Sequence, residues 1–350
     1  GITIKMAPVR MAYKGHILNL IDTPGHSDFS YEVSRALNAV EGAILLVDAT
    51  QGIQAQTLVN FRLAQKAGLK IIGALNKIDV ANLDPESLRA IVKEMAGLLD
   101  VAEEEIFRVS GKTGEGVLEL LDAVVRHVPV PRVSLFSAGT AGSSAPAADD
   151  HLRSRESASP MAKPSADSLR ELPHENKDTR GIRSVYQSLI FDSLYDEHKG
   201  VIAFVRVFGG DYTAGDEAAL VVGKQRVKIK EVGYFSPKMK PCEVLHAGEI
   251  GYIATGIKDP HAVRIGDTIG PASGGEALPG YAEPTPVVFV SLYPDEAEEY
   301  EDLRQALLKL KLNDSSLTFE SDFNEVLGRG FKCGFLGQLH FEITSERLEK

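Results

Sequence analysis

Along the first third of the chain, apolar positions follow two alternating rhythms. Short, densely apolar runs, Ile17 to Ile21, Ala43 to Val47, Lys70 to Leu75 and Ile106 to Val109, predict strands. Between them apolar residues recur at helical spacing: Phe29, Val33, Leu37 and Val40, then Leu88, Val92, Met95 and Leu99, then a face from Val117 to Val125. Strands alternating with helices predict an α/β domain with a largely parallel sheet. The opening segment to Tyr13, turned back through Lys14-Gly15, predicts an antiparallel edge hairpin on that sheet. From Val185 to about Ile269 the rhythm shifts to short β runs: Val185 to Phe191, Val201 to Phe208, Ala218 to Val222, Gln225 to Val232 and Ile250 to Thr255. Glycine-rich turns such as Gly209-Gly210-Asp211 separate them, and closely spaced strands without helices predict a small β-barrel. A proline-rich joint from Pro271 to Pro286 leads into a strand, Val287 to Leu292, and a helix with Tyr300, Leu303, Leu307 and Leu310 on one face. Strands near Leu317 and Phe331 and a helix from Gly337 complete a βαββα order, that of a split βαβ lacking its last strand.

Composition adds a boundary. Val133 to Gly181 is dominated by Ser, Ala, Pro and Gly, with Phe136 its only aromatic residue, too little apolar area to offset chain entropy. It is expected to be a disordered linker, with a partner-binding loop as the alternative. The whole chain of 350 residues is 43% hydrophobic and 25% charged, enough for two or three domains. A formal charge of -11 argues against wrapping nucleic acid with the whole surface, so any RNA contact must be regional. Cys242 and Cys333 stand far apart without a CxxC and are expected to be buried thiols in a reducing compartment. No export signal is expected from the N-terminal residues, and no apolar stretch of bilayer length occurs in the sequence. It opens on Gly1-Ile2-Thr3-Ile4 without a methionine and stops at Glu349-Lys350 inside a helical pattern, so both ends are expected to be cut.

Two clusters carry candidate chemistry. Asp22-Thr23-Pro24-Gly25-His26 stands between a strand and a helix, where an acid can hold a metal through water and a glycine lets a backbone N–H approach a phosphate. A turn with a capping aspartate would use the same residues. Asn76-Lys77-Ile78-Asp79 closes the strand ending at Leu75. A carboxylate there can accept from guanine N1–H and the 2-amino group, whereas adenine would leave it facing a lone pair. Lys77 has a stem long enough to cover a base face, and Asn76 can tie neighbouring loops together. An Asx turn is the plain alternative, but both clusters at the ends of neighbouring βα units favour the nucleotide reading. Ser110-Gly111-Lys112 then fits as a third loop touching the base.

In this order and spacing, the DTPGH, NKID and SGK segments resemble the guanine-nucleotide domain of the translational GTPases, with Gly1 to Ile4 similar to their switch I segment. Lys311-Leu312-Asn313-Asp314-Ser315-Ser316-Leu317, Ile257-Lys258-Asp259, Ile265-Gly266-Asp267-Thr268 and the run from Gly330 to His340 are similar to motifs of the LepA family. Elongation factor G and BipA differ around the glycine-leucine-histidine stretch. The resemblance implies a P-loop-type GTPase α/β domain over residues 1–132, the linker over 133–181, a β-barrel over 182–271 and a ferredoxin-like α+β domain over 272–350. The first of these would be truncated at its N-terminal side and the last at its C-terminal side. It implies GTP and Mg²⁺ as ligands, with Thr3 and Asp22 on the metal, Gly25 donating its amide to the γ-phosphate, and Asn76, Lys77, Asp79, Ser110, Gly111 and Lys112 around the base. His26 would orient the attacking water, so catalysis would be mostly positioning and charge stabilisation.

The family's function, as implied, is ribosome-dependent GTP hydrolysis that rearranges tRNAs by back-translocation on elongating or stalled ribosomes. The protein would be a cytoplasmic monomer, in bacteria peripheral to the inner membrane at times, with ribosomal RNA, ribosomal proteins and tRNA as partners. Alternatives are an elongation factor G or BipA-like GTPase, and a non-catalytic ribosome-binding protein. The last stays open because no GxxxxGK[ST] occurs in the sequence; Gly111-Lys112-Thr113 belongs to the base loop. Without that loop the chain as it stands is expected to bind GTP weakly and not to turn it over. Lys224, Arg226, Lys228 and Lys230 alternate with Val227 and Ile229, which on a strand turns the charges to one face, either solvated or set against RNA phosphates, with Lys238 and Lys240 nearby. His127, His198, His246 and His261 read as solvated or satisfied side chains, and packing explains His340 as well as an RNA contact does.

Overall fold

The computed structural model describes residues 5–80, 84–131, 186–279, 285–314 and 316–349. Gly1 to Ile4, and so Thr3, and the expected linker from Val133 to Gly181 lie outside the described residues.

The first region contains β1 (Ala7–Tyr13), β2 (His16–Asp22), α1 (Ser30–Leu37), β3 (Gly42–Asp48), α2 (Ala55–Lys66), β4 (Lys70–Asn76), α3 (Pro85–Leu99), β5 (Phe107–Arg108) and α4 (Val117–His127). The termini of α3 follow from its sequence. The Asp84 side chain accepts from Ser87 N at 2.9 Å, Pro85 fills the first turn, and Asp100 ends the helix in the left-handed conformation. Its apolar stripe, Val92, Met95 and Ala96, is buried with Val47, Leu75 and Ile106. Ile72, Ala74, Leu120 and Ala123 form the core on the α4 side.

The expected place of the opening hairpin is not the observed one. The hairpin β1–β2 does not extend the parallel sheet: β3, β4 and β5 form one three-stranded sheet and β1 with β2 another. A cavity of about 370 Å³, lined by Leu18 and Leu20 from β2, Ala43 and Ile44 from β3, and Val124 and Val128 near α4, stands between the two strands. Side chains of both strands line it, and no ladder joins β2 to β3.

The second region is a curled antiparallel sheet. Its strands are β6 (Gln187–Asp196), β7 (Gly200–Gly209), β8 (Tyr212–Thr213), β9 (Glu217–Leu220), β10 (Gln225–Lys228), β11 (Glu231–Ser236), β12 (Lys238–Cys242), β13 (Val244–Leu245), β14 (Ile250–Ala254) and β15 (Thr268–Pro271). Eight pair in the order β10-β9-β15-β6-β7-β14-β11-β12, and β13 pairs with β8. Ile190, Val205, Tyr212, Leu220, Leu245 and Ile253 are among the side chains that fill its inside. The single strand expected from Gln225 to Val232 is two. At Ile229 and Lys230 the backbone leaves β9 for β14: Ile229 N donates to Asp216 O at 3.0 Å and Lys230 N to Ala254 O at 2.9 Å, which makes a corner.

The third region runs β16 (Val288–Leu292), α5 (Tyr300–Asn313), β17 (Thr318–Asn324), β18 (Gly328–Phe335) and α6 (Gln338–Leu348), with sheet order β16-β18-β17, all antiparallel. Tyr300, Leu307, Leu317, Phe331, Cys333 and Phe335 form its core. Both cysteines are free thiols; Cys333 is buried, but Cys242 only partly so, because edge strand β12 leaves it partly open.

Ion pairs join the first two regions. Arg10 on β1 meets Glu249 at 2.8 Å, Arg206 on β7 meets Glu41, and the buried Arg35 on α1 lies between Glu32 at 2.8 Å and Asp192 of β6 at 3.6 Å. All the described residues fall in one compact unit.

Candidate nucleotide site

Parallel pairing of β3, β4 and β5 carries their carboxyl ends to one edge, with Asp48 opposite Asn76 and Leu75 opposite Arg108. The loops that follow are knotted together. Asn76 Oδ1 accepts from Gly111 N at 3.0 Å, and the Ser110 hydroxyl donates to Asp79 Oδ1 at 2.6 Å. Ser110 Oγ in turn accepts from Thr113 N at 3.0 Å, and Ser110 N donates to Glu115 O at 2.9 Å. The Ser110 hydrogen bond holds the Asp79 carboxyl below the usual carboxylate range. Among the described residues no side chain bonds Asp79 Oδ2, so a half-buried, ionised carboxylate retains an oxygen for an outside donor. Glycine is required where this knot closes. Gly116 has φ +70, and a Cβ there would lie 2.0 Å from Arg108 O.

Lys77 adopts φ 66, and its Nζ reaches Asp48 Oδ2 at 2.6 Å. Burial alone would raise the Asp48 carboxyl, but hydrogen bonds from Lys77 and Thr50 hold it below its ordinary value. Sequence reasoning missed Asp48. Its signal was an acid closing an apolar strand, the same feature that singled out Asp22 and Asp79.

Asp22, Gly25 and His26 come together on one loop after β2. Asp22 and Gly25 are exposed and His26 half-buried. Among the described residues nothing lies within 4 Å of where a Gly25 Cβ would stand, and these leave room for a phosphate to approach the backbone. Asp28 N donates to His26 Nδ1 at 3.2 Å, which makes Nδ1 the acceptor and leaves the proton of the neutral ring on Nε2. Among the described residues no group of three or more His, Cys, Asp or Glu is arranged to hold a metal. Mg²⁺ held chiefly by phosphate and water oxygens needs no such group, and a carboxylate such as Asp22 has the oxygen chemistry it prefers.

On the barrel, Arg226, Lys228 and Lys230 are exposed and Val227 and Ile229 buried, as alternation requires. Lys224 stands outside that alternation, in a turn with φ 51, and Lys238 and Lys240 lie on β12, at the other end of the sheet order.

The fold and these loops define a class, the proteins built on an elongation factor Tu-type GTP binding domain, whose family model matches residues 1–130. Within it, the chain belongs to the elongation factor 4 family. It is 45% identical over 359 residues to elongation factor 4 of Mycobacterium tuberculosis, covering 100% of this chain and 47% of that protein. To elongation factor 4 of Thermotoga maritima it is 43% identical, covering 100% of this chain and 49% of that protein. The chain thus spans about half the length of these curated relatives. Among solved structures, one from Thermus thermophilus matches with a TM-score of 0.65 at 18% identity, over 99% of this chain and 58% of that one. A bacterial selenocysteine-specific elongation factor matches with a TM-score of 0.52 at 19% identity, over 77% of this chain and 38% of that one. At such identities these two speak for the fold alone.

Proposed function

We propose that the chain carries the base-reading and water-orienting parts of a GTPase site that works on the ribosome. The observation that carries this reading is the pair of hydrogen bonds tying Asn76 to Gly111 and Asp79 to Ser110. Together they present the Asp79 carboxylate, ionised and half satisfied, between two loops at a sheet edge. Guanine supplies the two donors it lacks; adenine supplies none there. Lys77, drawn toward Asp48, covers a base face with its stem, and Lys112 closes the other side.

In this reading Asp22 and Thr3 take Mg²⁺, which neutralises phosphate charge when bound, and the Gly25 amide donates to the γ-phosphate. With Nδ1 occupied by Asp28 N, His26 offers Nε2–H to the attacking water. It therefore orients the water by donating to it rather than taking its proton. The exposed row Arg226, Lys228 and Lys230 meets ribosomal RNA phosphates. Rearrangement of tRNA is proposed for the protein at the length of its elongation factor 4 relatives, as a cytoplasmic monomer. A second reading is a non-catalytic ribosome-binding protein, in which the same base-reading loops and basic row serve binding without turnover.

The test joins the chain to a GxxxxGK[ST] strand-and-loop and measures ribosome-stimulated GTP turnover. Turnover lost in His26→Gln with nucleotide affinity retained is the expected result. Tight GTP binding without ribosome-stimulated turnover would favour the second reading.

A further inference from the structure

Helix α6 has no cap of its own: Gly337 precedes its first turn, and no side chain of the helix accepts from its free amides. The cap comes from the far end of the chain. Asp28 Oδ2 accepts from Leu339 N at 2.9 Å across 311 residues of sequence, the position an N-cap carboxylate takes on a helix's second amide. The same carboxylate's Oδ1 stands 3.4 Å from His26 Nδ1. Its own backbone N–H donates to that nitrogen, and Phe29 N closes the turn onto His26 O at 3.0 Å. We propose that Asp28 is a positioning residue for His26, through which the seating of α6 fixes the orientation and tautomer of that ring. The proposal rests on the water-orienting reading of His26, and it adds what holds the ring in place.

Two further observations support it. Gly337 has φ 178, an extended conformation open to any residue, so the backbone does not call for glycine. What a side chain would meet there is Asp28: an ideal Cβ would lie 2.1 Å from its Cγ. The glycine before Gln338-Leu339-His340 is thus explained by close approach of the turn that carries His26. The surface receiving that turn is also rigid. His340 is buried, with Nδ1 accepting from Leu336 N at 3.0 Å and Nε2 bonded to Asp314 Oδ2 at 2.9 Å. Its ring lies 6.4 Å from Phe29, itself buried and 6.3 Å from His26. The turn from His26 to Phe29 is therefore seated at two points on α6, one a charged hydrogen bond and one an aromatic contact.

The experiment is imidazole nitrogen NMR on the 350-residue chain, with His26→Gln to assign the ring, and amide exchange at Leu339 as the reporter of the cap. In the unaltered chain the neutral His26 ring should show one tautomer, with the proton on Nε2. Gly337→Ala changes no residue of the catalytic loop, yet it should displace Asp28. The ring should then give the averaged signal of two tautomers, and Leu339 exchange should speed up at least tenfold. Asp28→Ala keeps the backbone N–H that donates to His26 Nδ1 but loses the cap that seats the turn, so the turn should loosen and give the same two signs. Asp28→Asn keeps an acceptor for Leu339 N and should restore both signatures. When Gly337→Ala and Asp28→Ala are combined, the added methyl no longer meets a carboxylate, so the pair should be no worse than either change alone. If Gly337→Ala does not fold, the Asp28→Ala and Asp28→Asn pair decides. A single unchanged His26 tautomer alongside rapid Leu339 exchange would overturn the proposal and reduce Asp28 to a cap. Failure of the water-orienting reading would appear elsewhere, as ribosome-stimulated turnover unaffected by His26→Gln, whatever the NMR shows.

Discussion

The base-reading knot and the His26 turn are held in opposite ways. Asn76, Asp79, Ser110 and Gly111 close on one another within a single sheet, through loops at most 35 residues apart. The His26 turn takes its support from α6, more than 300 residues away. A rigid recognition site should be built from near neighbours, because every hydrogen bond in it survives movement elsewhere. A group that must act only at the right moment can instead hang on a contact that another part of the molecule can make or break. Perturbing the knot should therefore change which nucleotide is bound, and perturbing the turn should change how His26 stands.

The largest expected effect falls on the knot. Asp79→Asn puts an NH₂ where guanine presents its own amine, losing a charged hydrogen bond and adding a mismatch, roughly 3 kcal/mol or more. Xanthine carries a carbonyl there, so preference should pass from GTP to xanthosine triphosphate by a factor on the order of 100. Competition in the loop-completed form checks it. Continued preference for GTP would remove Asp79 from base reading, while leaving the His26 tautomer experiment as it stands.

Next comes the backbone of the knot. Gly116→Ala forces a side chain onto Arg108 O at a positive φ, and should cost about 2 to 3 kcal/mol. Denaturant unfolding should show the loss, and the single His26 tautomer should persist. A disturbed His26 would mean that the two halves are coupled more closely than their hydrogen bonds suggest.

The turn's own neighbourhood should depend on pH, and its two carboxylates have opposite signs. Burial pushes Glu32 on α1 up to about 7, with Arg35 opposing and Asp192 and Asp314 adding to the rise. A raised carboxyl stabilises the fold fully below its unfolded value of about 4.5, and that contribution is lost as pH rises through 7. Burial would raise Asp314 as well, but the hydrogen bonds it accepts from His340 and Ser316 bring it down to about 2. Its contribution is present above the unfolded value of 3.8 and lost as pH falls toward 2. Amide protection of α1 should thus weaken between about pH 4.5 and 7, by on the order of 1 kcal/mol given the Arg35 pairing. Glu32→Gln should flatten that slope, and a slope unchanged in Glu32→Gln would exclude this residue as its source.

How much of this was legible follows the same division. Local pattern gave the strands of the first region and the clusters at their ends, because an apolar run followed by an acid or asparagine is written within a few residues. It did not give α2, whose only buried residue is Ala64, so that the helix carries no apolar stripe to read. Nor did it give β8, β12, β13 and β15, strands of two to five residues set by their partners. The separation of β2 from β3 was invisible too, since nothing in either strand states which neighbour its edge meets. At the site, the role of Asp48 could have been read from its place at a strand end. Asp28, Gly337 and His340 could not, because what joins them is a contact between segments 311 residues apart.

The smallest effect separates base edge from base face within the knot itself. Lys77 pairs with Asp48 while its side chain is still 54% exposed, so solvent screens the pair and its direct worth is about 0.5 to 1 kcal/mol. Asp48→Asn removes the charge that draws the lysine over the pocket but leaves Asp79, Asn76 and Ser110 untouched. A stem lying on a ring face does not sense which groups decorate the ring's edge. Affinity should therefore fall a few-fold for GTP, and by the same factor for xanthosine triphosphate in the Asp79→Asn background, so that the two changes add. Added salt should shrink the Asp48→Asn effect, because the pair it breaks is exposed. If Asp48→Asn instead altered the ratio between the two nucleotides, Lys77 would be reading the base edge, and the knot would contain a second specificity element besides Asp79.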